Sequence, residues 1–136
     1  MPGHTDTLLH RWFEEVWNNG REDAIDEMMH VDAVTHGLED DIRGREAFKP
    51  LQRKFRAAFP DMKISVEQVL IDGDMIAARC SVTGTHTGPG LPVPPGSRPV
   101  SFTGICMGRV QDGKLIEGWN NFDFLSLYQQ IGLTMS

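Results

Sequence analysis

Apolar residues recur with a helical period at the start of the chain and with a period of two beyond its middle. Leu8, Leu9, Trp12, Phe13, Val16 and Trp17 fall at offsets of one, three and four, which predicts an amphipathic helix with one broad apolar face. Thr5 or Asp6 is placed to cap it, and Asn18-Asn19-Gly20 to end it, since these residues tolerate a left-handed backbone. A second, shorter helix is expected over Arg21–His30, with Ala24, Ile25, Met28 and Met29 as its buried stripe, followed by an extended passage over Val31–His36. The spacing of Phe48, Leu51, Phe55 and Phe59 predicts a third helix from about Gly44 to Phe59, closed by Pro60-Asp61. Within it Pro50 requires either a start near Lys49 or a kink.

From Met62 the period becomes two. Strands over 63–71 and 75–86 flank Asp72-Gly73-Asp74, and strands over 100–110 and 114–123 flank Asp112-Gly113, both strong hairpin signals. Between the hairpins, Thr87–Pro99 holds three glycines and five prolines and reads as a loop. Phe124–Ile131 closes the pattern as a short helix stopped by Gly132. Helices followed by a meander of strands predict one α+β domain over residues 1–136, with helices on one side of a curved antiparallel sheet. The strands carry apolar residues on both faces, so the outer face is expected to pack against a second subunit, as a homodimer or higher homo-oligomer.

Composition narrows the function. A length of 136 residues suits one domain, and 40% hydrophobic with 24% charged residues is ordinary for a globular protein. A net charge of −6 with scattered basic residues argues against nucleic acid as a partner. Cys80 and Cys106, both in strand-like runs, read as free buried thiols. The first residues show no basic start followed by an apolar core, and no apolar run is long enough to span a membrane. A soluble, cytoplasmic protein is the expectation.

No metal-ligand spacing, phosphate loop, dinucleotide fingerprint or nucleophile elbow is present. For an enzyme, these absences leave acid–base chemistry in a pocket, with no cofactor and no metal. Asp123 is the leading candidate, on one strand face with Asn121, Trp119 and Glu117. Beside an apolar wall it would serve as a general base, and directly before Phe124-Leu125-Ser126 it would equally serve as a helix cap. His86 ends a strand on the face of Cys80 and Val82, either as a structural histidine or as a donor to a substrate oxygen; His36 has a similar position. Trp12 and Trp17 are either core or pocket wall.

Several segments, in the same order, resemble one family: Trp17-Asn-Asn-Gly20, Phe55-Arg-Ala-Ala-Phe-Pro-Asp61, Gly84-Thr-His-Thr-Gly88, Pro94-Pro-Gly, Phe102-Thr-Gly-Ile105 with Asp112-Gly-Lys114, and Trp119 to Asp123 before Gln129-Gln-Ile-Gly132. The chain is similar to SnoaL-like polyketide cyclases of the nuclear transport factor 2-like superfamily. That resemblance implies a cone-shaped fold with helices and sheet around a deep apolar pocket. It also implies a small apolar or aromatic partner and intramolecular aldol cyclisation without metal or cofactor. By position the family's general acid/base Asp falls on Asp123. The reading of the residues themselves adds His86 as a second catalytic candidate and Trp12, Trp17, His36, Phe102, Trp119 and Asn121 as substrate-binding candidates. The family's histidine on the preceding strand has no counterpart in Val100–Val110. The rival readings are a non-catalytic binding or dimerisation module, and an isomerase or epoxide hydrolase; the hydrolase needs an Asp–Arg pair in the cavity, for which Arg79 and Arg109 are available.

Overall fold

A computed structural model describes residues 7–38 and 40–133. The first helix begins at Leu8, capped by Thr7, whose hydroxyl accepts from the His10 amide at 3.3 Å; Thr5 and Asp6 lie outside the described residues. Helix α1 (Leu8–Trp12) passes into a π-helical stretch, Phe13–Asn18, in which the Asn19 amide reaches back to the Glu14 carbonyl. Widened turns leave carbonyls without their usual partners. Here the buried Gln52 side chain supplies one, donating to the Val16 carbonyl at 2.9 Å. Asn18 ends the stretch by imitating a strand residue: its side chain donates to the Ile64 carbonyl at 2.9 Å and accepts from the Ile64 amide at 2.6 Å.

Helix α2 is shorter than its periodicity suggests, Asp23–Met28, because Met29 already enters strand β1 (Met29–His36). A two-residue strand β2 (Ile42–Arg43) precedes α3 (Arg45–Ala58), which runs through Pro50 as a continuous helix. Gly44 caps α3 at φ 96°, a backbone angle that favours glycine. The remaining elements are β3 (Lys63–Asp72), β4 (Met75–His86), β5 (Arg98–Gln111), β6 (Lys114–Phe122) and α4 (Phe124–Gln130).

The six strands form one curved, unclosed sheet in the order β2-β1-β6-β5-β4-β3. Strands β3 to β6 are the expected antiparallel meander, whereas β1 joins β6 in parallel, a pairing that no hairpin signal announces. On the sheet's inner side Phe48 of α3 meets Trp12 at a centroid distance of 5.4 Å and Trp17 at 6.0 Å, joining the first and third helices. No helix among the described residues is long and apolar enough to cross a membrane.

Candidate functional site

Strand alternation decides which side chains reach the interior. On β5 the buried residues Val100, Gly104, Cys106 and Gly108 face inward. Their register partners on β6 include Phe122, Asn120 and Gly118, opposite Gly104, Cys106 and Gly108. Leu115 is also buried, three residues before Gly118, an offset that simple alternation forbids. The sheet register shifts between Arg109 and Val110, so β6 carries one extra residue between Leu115 and Glu117.

The phase is therefore inverted along the rest of β6: Trp119, Asn121 and Asp123 stand outside the cavity, while Glu117, whose carboxylate meets His36, still borders it. Asn121 and Asp123 are exposed, and with Arg79, Thr103 and Ile105 they border an open outer groove. Asp123 caps α4, its Oδ1 accepting from the Ser126 amide at 3.0 Å.

Between the helices and the inner face lies a cavity of about 90 Å3, several times the ~10–15 Å3 that one water requires by this measure. Trp12, Phe13, Trp17, Phe48, Phe55, Phe59, Phe102, Phe122 and Phe124 give it aromatic walls. Phe124 stacks on Phe55 at 5.9 Å and lies 6.3 Å from Phe122, so the helix that Asp123 caps supplies part of the wall. Strand alternation counted back from Asp123 puts Asn121 in phase with the pocket, but the neighbouring Asn120 is the one that lines it. Asn120 donates one amide hydrogen to the His36 carbonyl at 3.1 Å. Its second amide hydrogen and its Oδ1 meet no partner among the described residues. Among the described residues of the lining Thr35 and Cys106 are buried polar groups, whereas Asn120 and Glu117 are half-buried. The Cys106 thiol is held by Cys80 and buried, which pushes its pKa up and keeps it protonated.

Neither Asp123 nor His86 lines this cavity, and the structure does not bring the two together. His86 is buried behind Phe59, its ring 5.4 Å away. Arg79 and Arg109 also lie outside it, Arg109 pairing with Asp74 at 3.3 Å, so no Asp–Arg pair among the described residues lines the interior. Among the described residues no three His, Cys, Asp or Glu side chains converge as a metal site.

His36 and Trp119 are register partners on β1 and β6 and stack at 5.7 Å. The imidazole bridges two carboxylates, Nε2 to Glu117 at 2.7 Å and Nδ1 to Asp41 at 2.9 Å. The Glu117 hydrogen bond first, then that of Asp41, raises the His36 pKa above its usual value against the opposing effect of burial. A histidine raised on folding stabilises fully below its unfolded pKa of about 6.5 and loses that contribution as pH climbs through the higher folded value. Stability measured from pH 5.5 to 9 is expected to decline across that window in wild type and to lose this component in His36→Gln. Salt should weaken the effect, because the carboxylates are partly exposed. An NMR titration placing the His36 pKa below 6.5 would contradict the arrangement.

Comparison with known proteins agrees with this architecture. The family model for SnoaL-like polyketide cyclases matches residues 7–131. The chain is 27% identical over 133 residues to the aklanonic acid methyl ester cyclase of Streptomyces peucetius, covering 94% of this chain and 91% of that protein. It is 30% identical over 123 residues to the nogalonic acid methyl ester cyclase of Streptomyces nogalater, covering 85% and 89%. Among solved structures, a SnoaL-like protein from Jannaschia superposes with a TM-score of 0.85 at 25% identity, covering 94% of this chain and 91% of its own.

Proposed function

The chain belongs to the SnoaL-like polyketide cyclase family, and from that premise we propose that its cavity binds a flat, apolar, carbonyl-bearing molecule and closes a ring in it by intramolecular aldol condensation. The observation that carries this reading is Asn120, a carboxamide with an unengaged N–H set among aromatic walls. Held between rings, the nucleophilic carbon and the carbonyl of one substrate are brought to near-attack distance, and the entropy of that encounter is lost on binding rather than in the reaction. A carbon proton flanked by carbonyls is already acidic, because the enolate is delocalised. The amide hydrogen of Asn120 then stabilises the oxygen on which charge develops as the new C–C bond forms. Water entering with the substrate accepts the carbon proton and returns one to the aldol oxygen. Polyketide methyl esters of the kind named for the two Streptomyces relatives are the substrate class to test.

In this reading Asp123 is a positioning residue: it caps α4 and so holds Phe124 in the wall. Asparagine caps a helix about as well as aspartate. Asp123→Asn is therefore expected to keep single-turnover cyclisation within about threefold of wild type. Loss of a general base costs on the order of 10²–10⁴, so a fall of about a hundredfold would return the acid–base role to Asp123.

We propose a homodimer formed through the outer face. Leu70, Ile105 and Met107 are exposed there. Arg79, Ile105 and Asn121 lie in one cross-strand row, with Asp123 beyond. A two-fold axis near Ile105 would bury the apolar centre and set Arg79 of each copy against Asp123 of the other, a self-complementary arrangement. Sedimentation at micromolar concentration should show a dimer that Ile105→Lys dissociates. A monomeric wild type would refute it.

A further inference from the structure

His86 is 1% exposed, yet neither Nδ1 nor Nε2 has a partner among the described residues. Neutral imidazole always carries one N–H, so a buried donor and a buried acceptor are both left without protein partners. The surroundings fix the ring rather than relieve it. Its own carbonyl accepts from the Ser97 amide at 2.8 Å, and the next two residues, Thr87 and Gly88, bond the Ala58 carbonyl at 3.2 and 3.1 Å. A Cβ at Gly88 would stand 1.7 Å from the Ala57 carbonyl oxygen, so this strand end is pressed against the end of α3. On one side the imidazole faces Phe59, the ring that lines the cavity, at 5.4 Å and 38°. Phe59 lies just past the end of α3, where its backbone has left helical geometry (φ −129°, ψ 78°).

We propose that His86 is the polar end of the ligand site, reached when Phe59 swings aside, and that it pairs with a hydroxyl at the edge of the flat ligand. This rests on the aromatic cavity being the ligand site. A phenolic or enolic hydroxyl both donates and accepts, which matches the unpaired capacity of the imidazole; a purely apolar edge leaves it unmet.

The test compares 2-naphthol with 2-methylnaphthalene, near-equal in size, by quenching of the tryptophans Trp12 and Trp17. His86→Phe keeps the ring and removes both nitrogens. It is expected to shift the affinity ratio about tenfold toward 2-methylnaphthalene, the size of one lost hydrogen bond. A shift within twofold overturns the proposal and leaves the nitrogens to internal water. Should His86→Phe not fold, 15N shifts of His86 in the wild-type protein decide: they must move on saturation with 2-naphthol and not with 2-methylnaphthalene. Equal responses overturn the proposal. If wild type binds both probes and His86 responds to neither, this inference alone fails; if neither probe binds, the cavity reading fails with it.

Discussion

Asn120→Leu lowers cyclisation by about a hundredfold or more while leaving a folded protein. The two side chains are close in volume, so the aromatic walls can stay as they are. What disappears is the interior amide. Removing one preorganised donor from a site where charge develops on oxygen costs on the order of 10²–10³ in turnover. The structural cost is much smaller, about 1 kcal/mol for the lost bond to the His36 carbonyl. Circular dichroism and urea denaturation would register the second quantity, and single-turnover kinetics the first. The effect should fall on kcat more than on KM, since the amide is expected to bind the transition state better than the ground state. Turnover within threefold of wild type would remove Asn120 from the chemistry.

That prediction depends on a residue whose place the sequence conceals. Counting by twos from the plainly apolar Leu115 puts Glu117, Trp119, Asn121 and Asp123 on the pocket side, and Asp123 then reads as the interior carboxylate. One extra residue opposite the Arg109–Val110 step inverts everything after it, because a single-residue slip exchanges the two faces of a strand. A signal was available in the composition of the neighbours: Gly104, Cys106 and Gly108 on β5 are small, and their partners are Phe122, Asn120 and Gly118. A Cβ at Gly104 would lie 2.2 Å from the Phe122 ring, so glycine there marks the inward face.

Local signals survive better than relations between distant segments. Asp112-Gly113 announces its hairpin because both residues take positive φ, 53° and 78°. The strand content, the loop beginning at Thr87 and the terminal helix are readable for the same reason: each is set by neighbours in sequence. The parallel pairing of β1 with β6 joins residues about eighty positions apart and leaves no local mark. Strand β2, at two residues, is too short to show a period. The π-helical stretch looks like ordinary helix in sequence, and the altered turn shows only in its bonding, the Asn19 amide on the Glu14 carbonyl and the buried Gln52 on the Val16 carbonyl.

Phe48→Ala is expected to be the most destabilising of these substitutions, by about 3–5 kcal/mol. The side chain is 2% exposed and packs on both Trp12 and Trp17, so its loss removes the contact between the first and third helices as well as the buried area. Domains of this size hold roughly 5–15 kcal/mol in total, so the variant should stand near the limit of folding, with a midpoint of urea unfolding well below that of wild type. Phe48 also lines the cavity, which separates two accounts of the loss. If the ring acts mainly by filling space, the enlarged apolar void should bind a small aromatic such as toluene, and saturating toluene should restore part of the stability. If its main role is to hold the tryptophan rings in place, toluene should restore little, because a mobile guest does not fix their orientation. A loss below about 1 kcal/mol would show that Phe48 does not join these helices, and that the cavity wall stands without it.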